Sequence, residues 1–283
     1  MKCDETFPGS SRLVEGDMLP TTLLLIGPSG SGKTVFCKQF IYSGLLKGEP
    51  GIYLSTDESP EDVERSMKSY GFDVNKYKTN GTFRVIDCYS WKTGLASSSK
   101  YSVSNPADLA AVSSAVETAR QDLTEMRLVL DSITGLTSIC SHNFIFFSKF
   151  LQVIAAKIRL MSSYGVFVLA PEAHDQQFTS YMRQIFDGTL EMKEDDSGDN
   201  IKRLLRIFSL KGAKHKTSWT PFEITSKGID IKSETDLRCM NCGRVIDWEP
   251  HVEIIDGKEY TFDSVECANT YKALKTFYGN NFE

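Results

Sequence analysis

Residues 27–34 read Gly27-Pro28-Ser29-Gly30-Ser31-Gly32-Lys33-Thr34, between the apolar run Thr22-Leu23-Leu24-Leu25-Ile26 and the helix-like Val35-Phe36-Cys37-Lys38-Gln39-Phe40-Ile41. A strand, a glycine-rich turn and a helix in that order form a cradle for an anion. The glycines let the backbone curl with its N–H groups pointing inward, and a side chain at Gly30 or Gly32 would obstruct that nest. The helix behind it adds unpaired N-terminal donors and the positive end of its dipole. In the pattern G-x-x-x-x-G-K-[ST] the lysine reaches the β- and γ-phosphates and the hydroxyl ligates Mg²⁺, roles that fall to Lys33 and Thr34. Gly27, Pro28, Ser29, Gly30, Ser31, Gly32, Lys33, Thr34 and the adjoining Val35 are the expected nucleotide contacts.

Outward from the loop, the chain has 283 residues and is 41% hydrophobic, enough for one large domain with or without a small appendage. A formal net charge of −5 supplies no global basic field for nucleic acid or an anionic membrane. No apolar run approaches the roughly 20 residues of a membrane helix. Met1-Lys2-Cys3-Asp4-Glu5 lacks the layout of a secretory signal, so a soluble, cytoplasmic protein without membrane insertion is expected. Of the seven cysteines, Cys3, Cys37, Cys88 and Cys140 have neither metal nor disulfide spacing and read as reduced, mostly buried thiols.

Short β-rich apolar runs alternate with helical periodicity, which predicts an α/β fold around a mostly parallel sheet covered on both faces. Gly51–Thr56, Thr82–Cys88, Leu128–Asp131 and Val166–Ala170 read as strands. Helices are expected over 60–70, from Pro106 to about Glu125, and over 144–163, with a serine-rich surface loop from Gly94 to Asn105. From Gly188 to Ile231 the pattern alternates as antiparallel strands do, around an acidic exposed turn at 195–200. There is no internal repeat.

Two acidic features fit nucleotide hydrolysis. Arg127-Leu128-Val129-Leu130-Asp131 is an apolar strand ending in an acid, roughly a hundred residues after the loop, and Asp131 at its tip would orient Mg²⁺ through a water or Thr34. Directly after the second strand, Ser55-Thr56-Asp57-Glu58-Ser59-Pro60 carries an acid pair, one member of which can stand near an attacking water. The same acids also suit the N-terminus of the next helix.

With these segments in place, residues from about Leu13 to Ile231 resemble the KaiC-like branch of the RecA-superfamily ATPases. The likeness rests on the GPSGSGKT loop, the Thr-Asp-Glu-Ser-Pro-Glu segment with its helix ending Tyr70-Gly71-Phe72-Asp73, and the Leu-Val-Leu-Asp-Ser strand. It extends to the tail Lys211-Gly212-Ala213-Lys214-His215 followed by Pro221-Phe222-Glu223-Ile224-Thr225 and Gly228-Ile229. The resemblance implies a RecA-like core binding ATP and Mg²⁺, with Glu58 activating water and Asp57 assisting; the first acid here is Asp where the family commonly has Glu. It places His174, after the strand ending at Ala170, where the γ-phosphate is sensed. It also implies assembly into a homo-oligomer, with a hexameric ring in view, whose tail donates charge to a neighbour's nucleotide. The family's Lys-x-Arg-Gly is Ser209-Leu210-Lys211-Gly212 in this chain, leaving Lys211 without the guanidinium fork of an arginine.

Composition changes after Lys232, which sets domains at 1–232 and 233–283. Cys239-Met240-Asn241-Cys242 is a C-x2-C knuckle able to present two thiolates to Zn²⁺, with Cys267 as a third ligand from a helix start. A unit of about 45 residues has difficulty forming a stable core without a metal or disulfide. The stretch Tyr260–Cys267 resembles TRASH and YHS-like treble-clef modules, and by position this resemblance implies Cys239, Cys242, Asp263 and Cys267 as the ligand set, with Asp263 where those modules commonly have Cys. His251 is the competing fourth ligand.

The sequence reading is a slowly hydrolysing ATPase that works in signalling or regulation through assembly, with a protein partner for the C-terminal module. Its alternative is an ATP-bound scaffold with little hydrolysis. A recombinase-like DNA binder ranks below both, because aromatic residues do not interleave with the basic ones.

Overall fold

A computed structural model describes residues 5–16, 18–94, 96–140, 144–195, 202–231, 238–244, 246 and 250–278. The tip of the acidic turn at 196–200, Cys3 and the junction after Ile231 lie outside the described residues. By its internal contacts the chain divides into two units, Met1–Ile231 and Lys232–Glu283.

Apart from a small pairing of Val14–Glu15 with Lys214–His215, the central sheet of the first unit has ten strands among the described residues. In chain order they are β1 (Thr22–Ile26), β2 (Gly51–Ser55), β3 (Phe83–Asp87), β4 (Tyr101–Ser102), β5 (Arg127–Asp131), β6 (Tyr164–Leu169), β7 (Gly188–Asp195), β8 (Lys202–Leu210), β9 (Thr220–Thr225) and β10 (Gly228–Ile231). Their order in the sheet is β10-β9-β8-β7-β1-β6-β5-β2-β3-β4. From β7 to β4 every neighbouring pair is parallel, while β8, β9 and β10 add antiparallel strands at one edge. The alternating segment from Gly188 thus contributes its first strand to the parallel core, and only the later three form the expected antiparallel meander.

The connecting helices are α1 (Lys33–Lys47), α2 (Pro60–Ser69), α3 (Leu109–Arg120), α4 (Ile133–Ile139), α5 (Phe144–Leu160) and α6 (Gln176–Ile185). Ser59 caps α2 by accepting from Asp62 N–H, with Pro60 in the first turn. Helix α3 starts three residues later than Pro106, because the Asp108 carboxylate captures Ala110 N–H as a cap. The serine-rich stretch is not all loop: Tyr101–Ser102 pairs with Ile86 and Asp87 as a two-residue edge strand.

Side chains of β1 alternate between two cores. Leu23 and Leu25 join Phe36, Phe40 and Ile41 of α1 on one face, and Leu24 and Ile26 join Phe147, Leu151 and Ile154 of α5 on the other. Every residue of β1 is buried, as a central parallel strand covered twice requires. Each buried leucine contributes roughly 2 kcal/mol by area. Going from β1 to β2, the chain steps over β6 and β5, which opens a crevice at the carboxyl ends of the strands.

The second unit has a knuckle at Cys239–Gly243, a hairpin of β11 (His251–Ile255) and β12 (Lys258–Phe262), and a helix α7 (Val265–Tyr278). Its buried apolar cluster is small: Cys239, Ile246, Phe262, Ala268 and Tyr271. Among the described residues no helix is long and apolar enough to cross a membrane.

Candidate functional site

The crevice at the carboxyl ends of β1, β2, β5 and β6 is a cleft of about 570 Å³. One wall is the loop, from Ser29 to Val35; the other includes Asp57, Asp131, Ser132 and Thr134. Gly30 and Gly32 have φ of 85° and 96°, the left-handed conformation that turns their N–H groups inward. A Cβ on Gly32 would also stand 2.9 Å from Ile224 Cδ1.

Lys33 lies folded over its own loop, Nζ donating to the Pro28 carbonyl at 2.6 Å. Burial pushes its pKa down, against the pull of the Glu172 and Asp131 carboxylates. Tyr53 donates its hydroxyl to Asp131 Oδ2 at 2.6 Å, and the Thr34 hydroxyl bonds the same carboxyl group. Burial raises the Asp131 pKa, with Asp57 adding to the rise and the two hydroxyls opposing it. A hydroxyl and a carboxylate side by side are the hard oxygen donors that suit Mg²⁺.

Asp57 is held from both sides. Its Oδ2 accepts from Thr56 Oγ1 at 3.1 Å and from Ser132 Oγ at 3.3 Å, while Thr56 Oγ1 receives the Ser132 N–H at 2.8 Å. Gly135 is required beneath this network, because a Cβ there would fall 2.0 Å from Thr56 Oγ1. Glu58 turns the other way. It does not line the cleft; Lys38 Nζ binds its Oε2 at 2.5 Å. The resemblance implies that Glu58 activates water with Asp57 assisting; in the structure Asp57 lines the cleft and Glu58 is bound to Lys38. The physical reason is Lys38, whose buried ammonium needs an acid partner and takes the nearer one.

A family model described as "ATPase: KaiC" matches residues 11–236. The chain belongs to the KaiC-like ATPase family. Curated relatives of this KaiC-like chain include the UPF0273 protein of Thermotoga maritima, 30% identical over 233 residues, which cover 79% of this chain and 93% of the relative. The UPF0273 protein of Pyrococcus furiosus is 29% identical over 242 residues, covering 82% and 94%. Among solved structures, a KaiC-like protein from Pyrococcus horikoshii OT3 shares the fold with a TM-score of 0.63 at 24% identity, over 81% of this chain and 97% of that one. Membership of the family makes ATP the nucleotide that the cleft is expected to bind.

Other anticipated residues of the KaiC-like domain lie farther from the cleft. His174 stands behind Thr134, its Nε2 at 3.0 Å from Thr134 Oγ1 and its ring stacked on Phe178 at 4.2 Å. Burial lowers its pKa, against the neighbouring acids Asp175 and Glu172. Lys211 is outside this chain's cleft. It follows Leu210, which pairs with Gly188 at the start of β7, so it lies at the sheet edge opposite the loop, its Nζ 4.0 Å from Asp187 Oδ1. Strand β8, antiparallel to β7, has carried the chain back to the amino ends of the parallel strands at that point, away from the cleft at their carboxyl ends.

Several cleft residues escaped the sequence reading. Tyr70 and Ile224 line the cleft, and behind the lining Glu172 accepts the Ser29 N–H at 2.8 Å and Tyr53 donates to Asp131. Only Ser132 had a local signal, as a hydroxyl capping the helix after a strand. Aromatic interleaving, read as absent, is present. Arg206 stacks on Trp219 at 4.4 Å and Arg183 on Phe208 at 4.4 Å, and the two guanidiniums share the Glu191 carboxylate. A second cleft of about 780 Å³ near β4 pairs Lys78 with Glu64 and Arg84 with Asp122, while Lys100 lies over the Tyr101 ring.

In the second unit, the ligand atoms of Cys239, Cys242, Asp263 and Cys267 all lie within 4.8 Å of one another. His251 is not among them; its Nε2 is 2.9 Å from Glu253 Oε1. The Cys267 thiol is pushed up to about 12, chiefly by the Asp263 carboxylate beside it. Burial works against the Cys239 thiolate, but backbone N–H groups of Asp263, Cys242 and Asn241 outweigh it and lower that thiol. Three thiol sulfurs and a carboxylate oxygen gathered this closely could hold a cation, which would displace the remaining thiol protons.

Proposed function

We propose that the KaiC-like domain is a slow ATP hydrolase in which Asp57 orients the attacking water. The observation that carries this reading is the Asp57 carboxylate, held by two hydroxyls in the wall that faces Lys33 and Thr34. The loop N–H groups and the Lys33 ammonium, once lifted from the Pro28 carbonyl, bind the β- and γ-phosphates. Thr34 and Asp131 hold Mg²⁺, which when bound neutralises charge developing on the phosphate oxygens. Asp57 accepts a hydrogen bond from water in line with the γ-phosphate, and the fixed hydroxyls keep its carboxylate from rotating away. An aspartate reaches less far than a glutamate, which accounts for slow turnover.

Assembly into a ring, with Lys211 offered to a neighbour's nucleotide, belongs to the same proposal, as does a regulatory role exercised through that assembly. In the second unit Cys239, Cys242, Asp263 and Cys267 form a structural Zn²⁺ site that stabilises a surface for a protein partner. Tetrahedral zinc at 2.3 Å from sulfur brings ligand atoms to about 3.8 Å from one another, compatible with a set already gathered within 4.8 Å.

The test is phosphate release from MgATP by the full chain and by Asp57→Asn, with nucleotide affinity measured separately by mant-ATP fluorescence. Turnover should fall about a hundredfold while affinity stays within about threefold. Full turnover in Asp57→Asn would remove Asp57 from the chemistry.

A further inference from the structure

Lys38 lies one turn beyond Thr34 on α1, and its side chain is 1% exposed. It belongs to a helix whose other buried side chains include Cys37, Phe40 and Ile41, so a charged group at this position needs partners of its own. The ammonium donates to Glu58 Oε2 at 2.5 Å and to Ser66 Oγ at 2.6 Å. The Glu58 backbone is clamped as well. Ser55 Oγ donates to the Glu58 carbonyl at 2.7 Å and receives its N–H at 3.1 Å. One lysine therefore ties the helix that begins in the phosphate loop to the turn after β2 and, through Ser66, to α2.

We propose that Lys38 is a positioning residue: by binding Glu58 it draws that carboxylate away from the cleft and fixes the turn so that Asp57 alone faces the phosphates. The proposal rests on the reading of Asp57 as the acid that orients water. Glu58 and Asp57 share one turn, so an untethered Glu58 would let Asp57 drift from its place in the wall, and the Lys38 ammonium holds both by binding one. Because a buried ion pair adds little net stability over apolar packing, the effect of Lys38 is expected in geometry rather than in folding. Glu58, with a side chain 33% exposed, can hydrate when its partner is removed.

The experiment compares kcat, KM for MgATP and mant-ATP affinity in the wild-type chain, Lys38→Met, Lys38→Gln, Glu58→Gln, the Lys38→Met/Glu58→Gln double variant and Asp57→Asn. Lys38→Met should lower kcat about tenfold or more, with KM and affinity within about twofold of wild type. Lys38→Gln should lose less, because its amide still donates to Glu58. The double variant should be no slower than the slower single variant, since both changes break one contact. Full turnover in Lys38→Met, or losses that multiply in the double variant, overturn the role of Lys38. If those losses multiply while Asp57→Asn is inactive, the reading of Asp57 stands and only Lys38 falls. Turnover that survives Asp57→Asn but is abolished by Glu58→Gln, or a wild-type chain that binds mant-ATP without hydrolysing ATP, overturns both. If Lys38→Met does not fold, Lys38→Gln and its double variant with Glu58→Gln decide the matter by the same criteria.

Discussion

Gly32 concentrates the chemistry of the loop in one backbone angle. Its φ of 96° aims an N–H into the nest, and the space a Cβ would need is filled by Ile224 from the far end of the unit. Gly32→Ala should therefore cost about 1–3 kcal/mol of stability and weaken mant-ATP binding more than tenfold. Unchanged affinity would mean that the nest does not hold the phosphates. A comparable argument applies to Asp263, the one oxygen donor among three thiols. Asp263→Cys should bind Zn²⁺ about tenfold more tightly, read by competition with a chromogenic chelator, because thiolate is the softer ligand. The acids show how legibility fails at this scale. Asp131 could be identified from its strand, but the divergence of Asp57 and Glu58 depends on Lys38 and Ser132, which are remote in sequence.

Among the elements, the pairing of β1 with β7 is secured at its base by one carboxylate. Asp187 accepts from Thr22 N at 3.0 Å and Thr22 Oγ1 at 2.6 Å, and Arg159 of α5 approaches it at 3.1 Å. Burial would raise its carboxyl, but the Thr22 donors and the Arg159 charge prevail and hold it below the usual aspartate range. The stability this supplies is present above about pH 4 and is lost as pH falls through the lower folded value. Asp187→Asn should accordingly flatten the acid limb of a urea-midpoint profile between about pH 4 and pH 2. An acid limb as steep as that of the wild type would assign the dependence to other groups. Helix starts with a cap nearby, such as Ser59-Pro60, were legible in sequence. The two residues of β4 were not, because an edge strand that short has no periodicity and exists only through its pairing with β3.

For the whole molecule, the two units have cores of very different size. The first buries apolar clusters on both faces of its sheet, while the second has five buried apolar side chains among the described residues. A core that small needs support, so if Zn²⁺ is bound as proposed, a strong chelator should abolish the amide protection of β11, β12 and α7 in hydrogen exchange. Retained protection would show that the unit folds on its own. ATP at a hundred times its dissociation constant should stabilise the first unit by about 2.7 kcal/mol, measurable as a rise in its melting temperature in the presence of Mg²⁺. The resemblance read from the sequence agrees with the family match over residues 11–236 and with the shared fold, because it rested on contiguous motifs.

What the sequence by itself determined is the chemistry that short stretches encode. GPSGSGKT specifies a phosphate nest because its eight residues are consecutive, and the apolar runs specify a sheet covered on both sides because burial on two faces leaves polar residues few and mostly at strand ends. Tertiary structure alone decided which way side chains turn at the strand ends. Asp57 faces the cleft because Ser132, 75 residues later, holds its oxygen, and Glu58 turns inward because Lys38, 20 residues earlier, is buried beside it. Lys211 lies at the other end of the sheet because β8 runs back along β7. Each of these outcomes depends on a partner that only folding brings within hydrogen-bond reach, and a free carboxylate or ammonium in the unfolded chain has no reason to prefer one direction.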